Sequence, residues 1–273
     1  MNYQVFERQQ DELHGHMIER YDRAFRQFSS QELVRVFHEL IDQYSVNCLF
    51  ELGAHRAATS KRFVNAKKGR KAIAVEANPF NCEKFKAKAV KSGVLYIHRA
   101  LTAETGPVNF VLSDSDQDRK RGHTKTSNSI LLNLDFDRTI NVEVPGTTLD
   151  DLMQDTEFTD YVPSFADERI ALWVDVEGAL SQLLEGAQDT LPKCLFALAE
   201  LEKVERFKGQ KTAAYVAKQF ENLGFVPFLS DSEYMPTQHN VIFVNSSLIA
   251  KEDVAVIHDK FVKNITNFTP EAE

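Results

Sequence analysis

The feature that most constrains the fold is a unit that occurs three times: an apolar stretch that ends in an acidic residue and then turns into a helix. The three units lie in residues 49–54, 73–79 and 172–187. Strands that alternate with helices favour a parallel sheet with helices on both faces. Right-handed crossovers then place the carboxyl ends of the strands at one edge. Open α/β sheets bind nucleotide-like ligands at that edge, so the acidic residues are predicted to meet there.

The composition argues against several classes of protein. The chain has 273 residues and a formal net charge of -8, which disfavours a large nucleic-acid interface because phosphates require a basic face. Its three cysteines, Cys48, Cys82 and Cys194, form no CxxC pair, so we expect buried thiols in a reducing, cytoplasmic compartment without disulfides or zinc. The N-terminal stretch lacks an apolar signal core, and no apolar run approaches about 18 residues. We therefore expect neither a secretion signal nor a membrane span.

The first 45 residues differ in pattern from the rest of the chain. Apolar residues recur there at helical spacing, with Ser30 as the predicted N-cap of a helix that carries Leu33, Phe37 and Leu40. We predict a helical segment over residues 1–45 and a single domain over residues 46–273. The segment either packs on that domain, closes over a substrate cleft as a lid, or forms a contact between two copies in a homodimer.

From residue 47 onward the pattern predicts an α/β domain. The parallel strands are predicted at residues 48–52, 72–76, 94–98, 170–175 and 195–201, with helices at 57–66, 79–91, 179–187 and 212–223. Two extra strands, 108–113 and 140–144, flank a polar loop. Strands 225–229 and 241–245 are joined by a short polar loop, 230–239, and are therefore predicted to be antiparallel. The tail after Val262 is expected to be frayed.

A single glycine follows the first strand. Gly53 has no Cβ, so the backbone can approach a ligand closely, and the N-terminus of the next helix points at that ligand. The dinucleotide fingerprint GxGxxG is absent, since His55 and Ala57 stand in this turn. This absence argues against a nicotinamide enzyme.

Glu76 lies at the end of the second strand, about 23 residues after Gly53. An acid at this place in a nucleotide-binding sheet accepts hydrogen bonds from both hydroxyls of a ribose. The alternative is a solvated carboxylate at a strand end. We favour the ribose role because the acid lies between an apolar strand and a helix that begins with Pro79.

Two carboxylates follow the fourth strand. Asp175 and Glu177 flank Val176, and in an extended chain their side chains point the same way. At the edge of the sheet they can take up a proton or face a cation, such as the sulfonium of S-adenosylmethionine. The alternative is that Asp175 caps the following helix.

Glu200 and Glu202 repeat the pattern after the fifth strand. Either side chain could line the pocket for an acceptor, and a surface position is the alternative. Asp175, Glu177 and Glu200 together could also hold a divalent metal, because such ions prefer oxygen ligands. We favour a site without metal.

A basic loop, residues 119–125, leads into a hydroxyl-rich stretch that ends at Ser129. It could grip an anionic acceptor or close over a cofactor, and a solvated mobile loop is the alternative. Ser127, Asn128 and Ser129 are better candidates for binding, because the apolar residues 130–132 that follow would anchor them. The histidines have no nucleophile partner at a diagnostic spacing, and a GxSxG motif is absent, so a hydrolase is not expected.

Taken together these residues resemble the FkbM family of S-adenosylmethionine-dependent methyltransferases. The likeness covers residues 47–245, and residues 174–179 form its most specific block. The matching stretches are 50–54, 76–79, 98–102 with Gly106 and Phe110, 144–150, 174–179, 184–187, 224–225 and 240–243.

The resemblance implies the class I methyltransferase fold, an α/β three-layer sandwich with a seven-stranded, mostly parallel, Rossmann-like sheet whose last strand is antiparallel. It implies methyl transfer from S-adenosylmethionine, most often to a hydroxyl of a sugar or a polyketide-like natural product. Carried over by position, Asp175 and Glu177 face the reacting centre, and Glu200 is a second candidate base. The residues implied in cofactor binding are Glu51, Gly53, Ala54, His55, Glu76, Asn78, Arg99, Ala100, Ser129 and Asp175.

The chain departs from the family pattern at three positions. His55 and Ala57 stand where the family usually has asparagine and a second glycine, and Leu180 stands where it usually has glutamate. The main prediction is an O-methyltransferase that acts on a glycan or a small hydroxylated metabolite. The departures motivate a second hypothesis, a cofactor-binding module or scaffold that has lost turnover. Nucleic-acid methylation is disfavoured by the acidic charge and by the absence of an Asn-Pro-Pro-Tyr motif.

Overall fold

The structure of the protein is a computed structural model that describes residues 3–125, 127–155, 168–232 and 237–269, with the side chains of residues 16 and 19–22 outside that description. The strands are β1 (Cys48–Leu52), β2 (Lys71–Glu76), β3 (Val94–His98), β4 (Ala100–Leu101), β5 (Gly106–Ser113), β6 (Thr139–Thr147), β7 (Ile170–Val174), β8 (Phe196–Glu202), β9 (Phe225–Ser230) and β10 (Gln238–Asn245). The helices are α1 (Tyr3–Gln43), α2 (Ala58–Ala66), α3 (Pro79–Lys91), α4 (Asp116–Lys120), α5 (Leu149–Leu152), α6 (Leu180–Glu185), α7 (Ala213–Asn222) and α8 (Lys251–Thr266).

The strands form a seven-stranded sheet in the order β3-β2-β1-β7-β8-β10-β9. β10 runs antiparallel to both β8 and β9, whereas β1 runs parallel to β2 and β7. The predicted fold class is therefore confirmed: a mostly parallel sheet with an antiparallel last strand. The predicted antiparallel pairing of the two C-terminal strands is also confirmed, and residues 233–236 of the loop between them lie outside the described residues.

The chain divides into two compact units. The central unit comprises Val46–Cys194 and Glu205–Lys211, and the terminal unit comprises Met1–Ser45, Leu195–Val204 and Thr212–Glu273. Assignment of residues 1–45 to a separate segment with a lid or dimer role stays a prediction.

The central unit is built around buried parallel strands. All five residues of β1 are buried, and so are four of the five residues of β7, which is the near-continuous apolar pattern of a strand covered on both faces. Phe50 on β1 is in register with Ile73 on β2 and Leu172 on β7. The two extra strands predicted by the sequence lie in a separate three-stranded sheet of order β4-β6-β5, where β5 and β6 are antiparallel.

Local sequence signals set the bounds of α3. Asn78 is the N-cap, and Pro79 occupies the first turn, where its missing N–H costs nothing. The helix is followed by Gly93, whose φ of +84° lies in the left-handed region that glycine adopts without strain. The next strand, β3, begins directly after this glycine, as the sequence predicts.

Two expectations about the helices of the terminal unit are wrong, the N-cap at Ser30 and the fraying directly after Val262. Ser30 is not an N-cap, because α1 is one continuous helix through this position. Phe25, Leu33 and Phe37 are all buried, so packing on both sides of Ser30 overrides the local capping signal. The expected fraying after Val262 is wrong as far as Thr266, since α8 continues to that residue and buries Ile265 fully.

All three cysteines are buried and free. Among the helices described, none combines the length and the apolar character that crossing a bilayer requires.

Candidate functional site

A cleft lies in the central unit where β1, β2 and β7 reach their carboxyl ends. Three acidic residues, Glu76, Asp175 and Glu177, line it. The structure therefore brings together the acids that follow the second and fourth predicted strands. The other predicted site residues that line the same cleft are Gly53, His55, Asn78, Arg99, Ala100 and Ser129.

Gly53 permits a close contact between two strand ends. Its φ is +81°, and a Cβ built on it would lie 1.7 Å from the carbonyl oxygen of Asp175. The N–H groups of Gly53 and Ala54 both donate to the carbonyl of Val75 at 2.9 Å. We predicted that the missing Cβ makes room for a ligand. The neighbour that requires glycine is instead the Asp175 backbone, so this residue fixes the spacing of β1 and β7 at the cleft.

The turn between β1 and α2 contains two non-glycine residues with left-handed backbone angles. His55 has a φ of +44° and Ala57 a φ of +52°. Asparagine and glycine adopt this region most readily, which gives a physical reason for the residues that the FkbM pattern usually has at these positions. His55 and Ala57 adopt the same backbone region here, so the departure from that pattern leaves a left-handed turn in place.

Glu76 is held in the cleft by three hydrogen bonds. Its carboxylate accepts hydrogen bonds from the backbone N–H of His55 at 2.5 Å, the backbone N–H of Asn78 at 2.8 Å and the side-chain amide of Asn81 at 3.3 Å. Burial raises the pKa of Glu76 to about 7, and these donors act in the opposite direction. The side chain is thus held in one orientation at the end of β2.

Two predicted cofactor residues lie away from the cleft lining. Glu51 is buried and accepts hydrogen bonds from the N–H groups of Thr59 and Ser60 at 3.2 and 2.7 Å, so it satisfies the first turn of α2. Burial raises the pKa of Glu51, and the bonds from Ser60 oppose that rise. Ala54 is buried in the turn. Their roles in cofactor binding stay predictions.

Asn78 and Asn81 both belong to the first turn of α3. The side-chain oxygen of Asn78 accepts from the N–H of Phe80 at 3.0 Å, while its amide donates to the carbonyl of His123 at 2.9 Å. Asn81 was not among the predicted site residues. It lines the cleft, and its buried Oδ1 has no hydrogen-bond partner among the described residues. The signal that could have found it is its position three residues after a polar N-cap, from which a side chain reaches back over the helix start.

The opposite wall comes from β4 and from the stretch that ends at Ser129. The N–H of Arg99 donates to the carbonyl of Glu76 at 3.1 Å, which places the start of β4 next to the end of β2. Ser129 is buried and pairs with Val111 through backbone bonds of 2.7 and 3.3 Å. Lys125 and Asn128 also line this wall. The basic loop therefore ends at the cleft.

Asp175 and Glu177 lie on a strained turn after β7. The N–H of Asp175 donates to the carbonyl of Leu52 at 2.8 Å, and Glu177 has a φ of +48°. A non-glycine residue in this region signals strain that the surroundings must hold in place. The chain is not extended at Glu177, so the extended geometry assumed for the pair does not apply. The N-cap of α6 is Ala179, which excludes Asp175 from that capping position.

Glu200 lies in the terminal unit on β8, opposite Asn240 on β10, and is half-buried. Its role as a second base stays a prediction. Among the described residues, no three His, Cys, Asp or Glu side chains are grouped in a way that could hold a metal ion.

The chain matches the model of the family described as Methyltransferase FkbM domain over residues 51–227. No curated protein matches it. Magnesium protoporphyrin IX methyltransferase from Synechocystis PCC 6803, with bound S-adenosylmethionine, is similar in structure at 9% identity and a TM-score of 0.43, over 87% of this chain and 95% of that one.

Two further solved structures are similar. Precorrin-6y C5,15-methyltransferase from Geobacter metallireducens GS-15 matches at 11% identity and a TM-score of 0.38, over 73% of this chain and 80% of that one. Fibrillarin from Aeropyrum pernix, with natively bound S-adenosylmethionine, matches at 10% identity and a TM-score of 0.37, over 72% of this chain and 66% of that one. Because these TM-scores are below 0.5, the assignment of the chain to a protein family rests on the match to the family model alone.

Proposed function

We propose, from the premise that this chain belongs to the FkbM methyltransferase domain family, that it methylates a hydroxyl oxygen of a sugar, a glycan or a small natural product. The chain is a methyltransferase, and its cofactor is S-adenosylmethionine. The acceptor class and the transfer to oxygen are the proposed part.

The residues of the cleft fit an adenosyl cofactor. Glu76 has oriented carboxylate oxygens, and Asn81 offers a buried oxygen without a partner among the described residues. A buried acceptor without a hydrogen bond is costly, so the cleft favours a ligand that carries hydroxyl or amine donors. The ribose of the cofactor supplies such donors. Glu76 and Asn81 are therefore the residues that we expect to hold it, with Arg99 and Ala100 beside the base.

When bound, S-adenosylmethionine supplies an electrophilic methyl group carried on a sulfonium. Asp175 and Glu177 line the same cleft and are half-buried, so their carboxylates can accept the proton of an acceptor hydroxyl. The turn that carries them is fixed, because a Cβ on Gly178 would lie 2.5 Å from the ring of Phe207. Holding the acceptor oxygen and the base in a fixed geometry supplies a large part of the rate enhancement in such reactions.

The observation that carries the proposal is the convergence of Glu76 with Asp175 and Glu177 in one cleft. The test is methyl transfer by the Asp175→Asn and Glu177→Gln variants, each first shown to bind S-adenosylhomocysteine as tightly as the wild type. We expect at least one variant to lose about 10²- to 10⁴-fold in turnover, the usual contribution of a general base. Unchanged rates in both variants would eliminate them as bases and move the proposal to Glu200.

One observation favours the second hypothesis, a cofactor-binding module without turnover. Leu180 is buried at the start of α6, where the FkbM pattern usually has glutamate, so this position offers no carboxylate. Calorimetric titration with S-adenosylmethionine followed by assays on a broad glycan panel separates the two. Binding with turnover supports the enzyme, whereas tight binding without turnover supports the module.

A further inference from the structure

Residues 114–125, here named the clasp loop, form an ordered flap beside the cleft. The loop contains α4 and then turns at Gly122 and His123, both of which have left-handed φ values, +66° and +55°. Its last residue, Lys125, lines the cleft. The loop is thus a candidate for a moving wall of the cofactor site.

The start of α3 holds the clasp loop by several contacts. The side-chain amide of Asn78 donates to the carbonyl of His123 at 2.9 Å, and the rings of Phe80 and His123 lie 5.3 Å apart. Lys84 donates from Nζ to the hydroxyl of Thr124 at 3.2 Å. The Asn78 bond is the most sheltered of the three, because this side chain is 1% exposed whereas Lys84 is exposed.

Asn78 links this bond to the proposed ribose site. Its backbone N–H donates to Glu76 at 2.8 Å, its Oδ1 caps α3, and its Nδ2 reaches the clasp loop. The residue was predicted to contact the cofactor. That role stays a prediction, and in the structure the polar groups of Asn78 connect Glu76, the start of α3 and the loop.

Hydrogen bonds also join the clasp loop to the residues that precede and follow it in the chain. The side chain of Asn128 accepts from the N–H of Ser113 at 2.9 Å and donates to the carbonyl of Lys125 at 3.0 Å. Asp118 accepts from the hydroxyl of Ser113 at 2.5 Å. These bonds hold the shape of the loop and would be kept if the contacts with α3 broke.

The cleft has little free space between its walls. Its free volume is about 70 Å³. A cavity of roughly 150 Å³ just holds benzene. An adenosyl group is larger than benzene, so we expect the walls of this open cleft to adjust when the group binds.

We propose that Asn78 is a positioning residue that latches the clasp loop over the adenosyl part of the cleft and thereby sets the rates at which the cofactor enters and leaves. This rests on the proposed function, since it takes the cleft to be the S-adenosylmethionine site. The latch is the bond from the Asn78 amide to the His123 carbonyl at 2.9 Å, which is shorter than the 3.4 Å bond from the Asn128 amide to the same oxygen. Opening breaks that bond but leaves Glu76 and the α3 cap in place.

The test uses two variants that keep the helix cap and lose the latch donor. Asn78→Ser and Asn78→Asp both retain a good N-cap residue, but neither donates a side-chain amide to His123. Ser92→Ala is the matched control, because it removes a hydroxyl bond to the Lys88 carbonyl at the other end of α3. For each full-length protein we would measure tryptic cleavage at Arg119, Lys120 and Arg121 without ligand, the dissociation rate of S-adenosylhomocysteine and the free energy of unfolding.

We expect both Asn78 variants to be cut about two- to tenfold faster than the wild type, which is the population change that loss of one hydrogen bond produces. S-adenosylhomocysteine should dissociate faster by a similar factor, while unfolding changes no more than in the control. Cleavage and dissociation rates equal to those of the wild type would overturn the latch. A wild type that binds no S-adenosylhomocysteine would instead contradict the proposed function, and this role with it.

Discussion

Gly53 and Asp175 lie so close that a Cβ on the glycine would be 1.7 Å from the carbonyl oxygen of the aspartate. The contact joins the end of β1 to the end of β7. It places one of the proposed bases, Asp175, beside the turn that leads to His55 and Glu76. Two parts of the site that are far apart in the chain thus share one backbone contact.

Gly53→Ala should destabilise the protein strongly. The new Cβ would collide with backbone that cannot rotate away, and alanine would also be strained at a φ of +81°. We expect a loss of about 4 kcal/mol or more in the free energy of unfolding, measured by urea denaturation. Gly69→Ala is the control, because Gly69 has a φ of +89° but a Cβ added there would meet nothing within 4 Å. It should lose about 1–2 kcal/mol, the cost of the left-handed backbone alone. Equal losses would show that the contact with Asp175 does not matter.

Glu76→Gln should weaken binding of S-adenosylhomocysteine about 10- to 100-fold. The substitution removes the charge that strengthens a hydrogen bond with ribose hydroxyls, and it sets an amide N–H₂ against the N–H donors of His55 or Asn78. Isothermal titration calorimetry measures the change. Glu83→Gln is the matched control, since Glu83 lies exposed on α3, and its affinity should equal that of the wild type. A Glu76 variant that binds like the control would contradict the ribose role.

Binding of S-adenosylhomocysteine should tighten as the pH rises through about 7. The pKa of Glu76 is raised to about 7 by burial, so the carboxylate that we propose as the acceptor for the ribose hydroxyls is mostly protonated at pH 6. One pH unit below its pKa a group is about tenfold more protonated than ionised, so affinity at pH 6 should be about tenfold weaker than at pH 8. Titrations at a series of pH values check this. The Glu76→Gln variant should have a flat profile over the same range, and a wild-type profile equally flat would contradict the assignment.

The raised pKa of Glu76 also predicts how the stability of the protein depends on pH. Stability should fall as the pH rises, whereas ligand affinity should increase. Between pH 4.5 and about 7, Glu76 is more protonated in the folded state than in the unfolded state, because its pKa is raised by folding. The contribution of Glu76 to stability is therefore most favourable below pH 4.5 and is lost as the pH rises to about 7. Comparing the pH dependence of unfolding in the wild type and in Glu76→Gln isolates it. If the wild type instead gained stability relative to Glu76→Gln as the pH rose from 4.5 to about 7, the raised pKa of Glu76 would be contradicted.

Asp150→Ala should lower stability without changing the affinity for S-adenosylhomocysteine. The Asp150 carboxylate accepts from the backbone N–H groups of Asp189 and Thr190 at 3.0 and 2.8 Å, and it does not line the cleft. Removing the acceptor leaves the N–H of the buried Thr190 without its partner, whereas water can reach the N–H of the exposed Asp189, and we expect a cost of about 1–3 kcal/mol. Asp137→Ala, at an exposed residue, is the control for denaturation and titration. A loss of affinity in Asp150→Ala alone would point to a role in binding.

Much of the fold could be predicted because its signals are local. Pro79 marks the first turn of α3, and Gly93 separates α3 from β3, so both elements match their predicted bounds. Ser30 shows where local signals fail. Serine is a preferred N-cap residue, but α1 continues through Ser30 because buried residues on both sides of it stabilise one continuous helix. The separate sheet of β4, β5 and β6 was also not predicted, because pairing between distant strands leaves no local mark.

The site was predictable in outline and not in detail. Glu76, Asp175 and Glu177 follow strands whose carboxyl ends must share an edge, so their convergence follows from topology. The partner of Gly53 and the capping contacts of Glu51 depend on distances between segments, which a single sequence does not encode. Asn78 shows the same limit. The family resemblance implied a role in cofactor binding, which stays a prediction, but the bond of its side chain to a loop 45 residues away could not be read from the sequence.

The most direct test of the account is a crystal structure of the full-length chain with S-adenosylhomocysteine at saturating concentration, with the distances from the Glu76 carboxylate to the ribose hydroxyl oxygens as the measurement. We predict that both hydroxyls lie within hydrogen-bond range, about 2.6–3.2 Å, and that the thioether sulfur faces the Asp175 and Glu177 side of the cleft. A ligand bound elsewhere, or no ligand in this cleft, would contradict it.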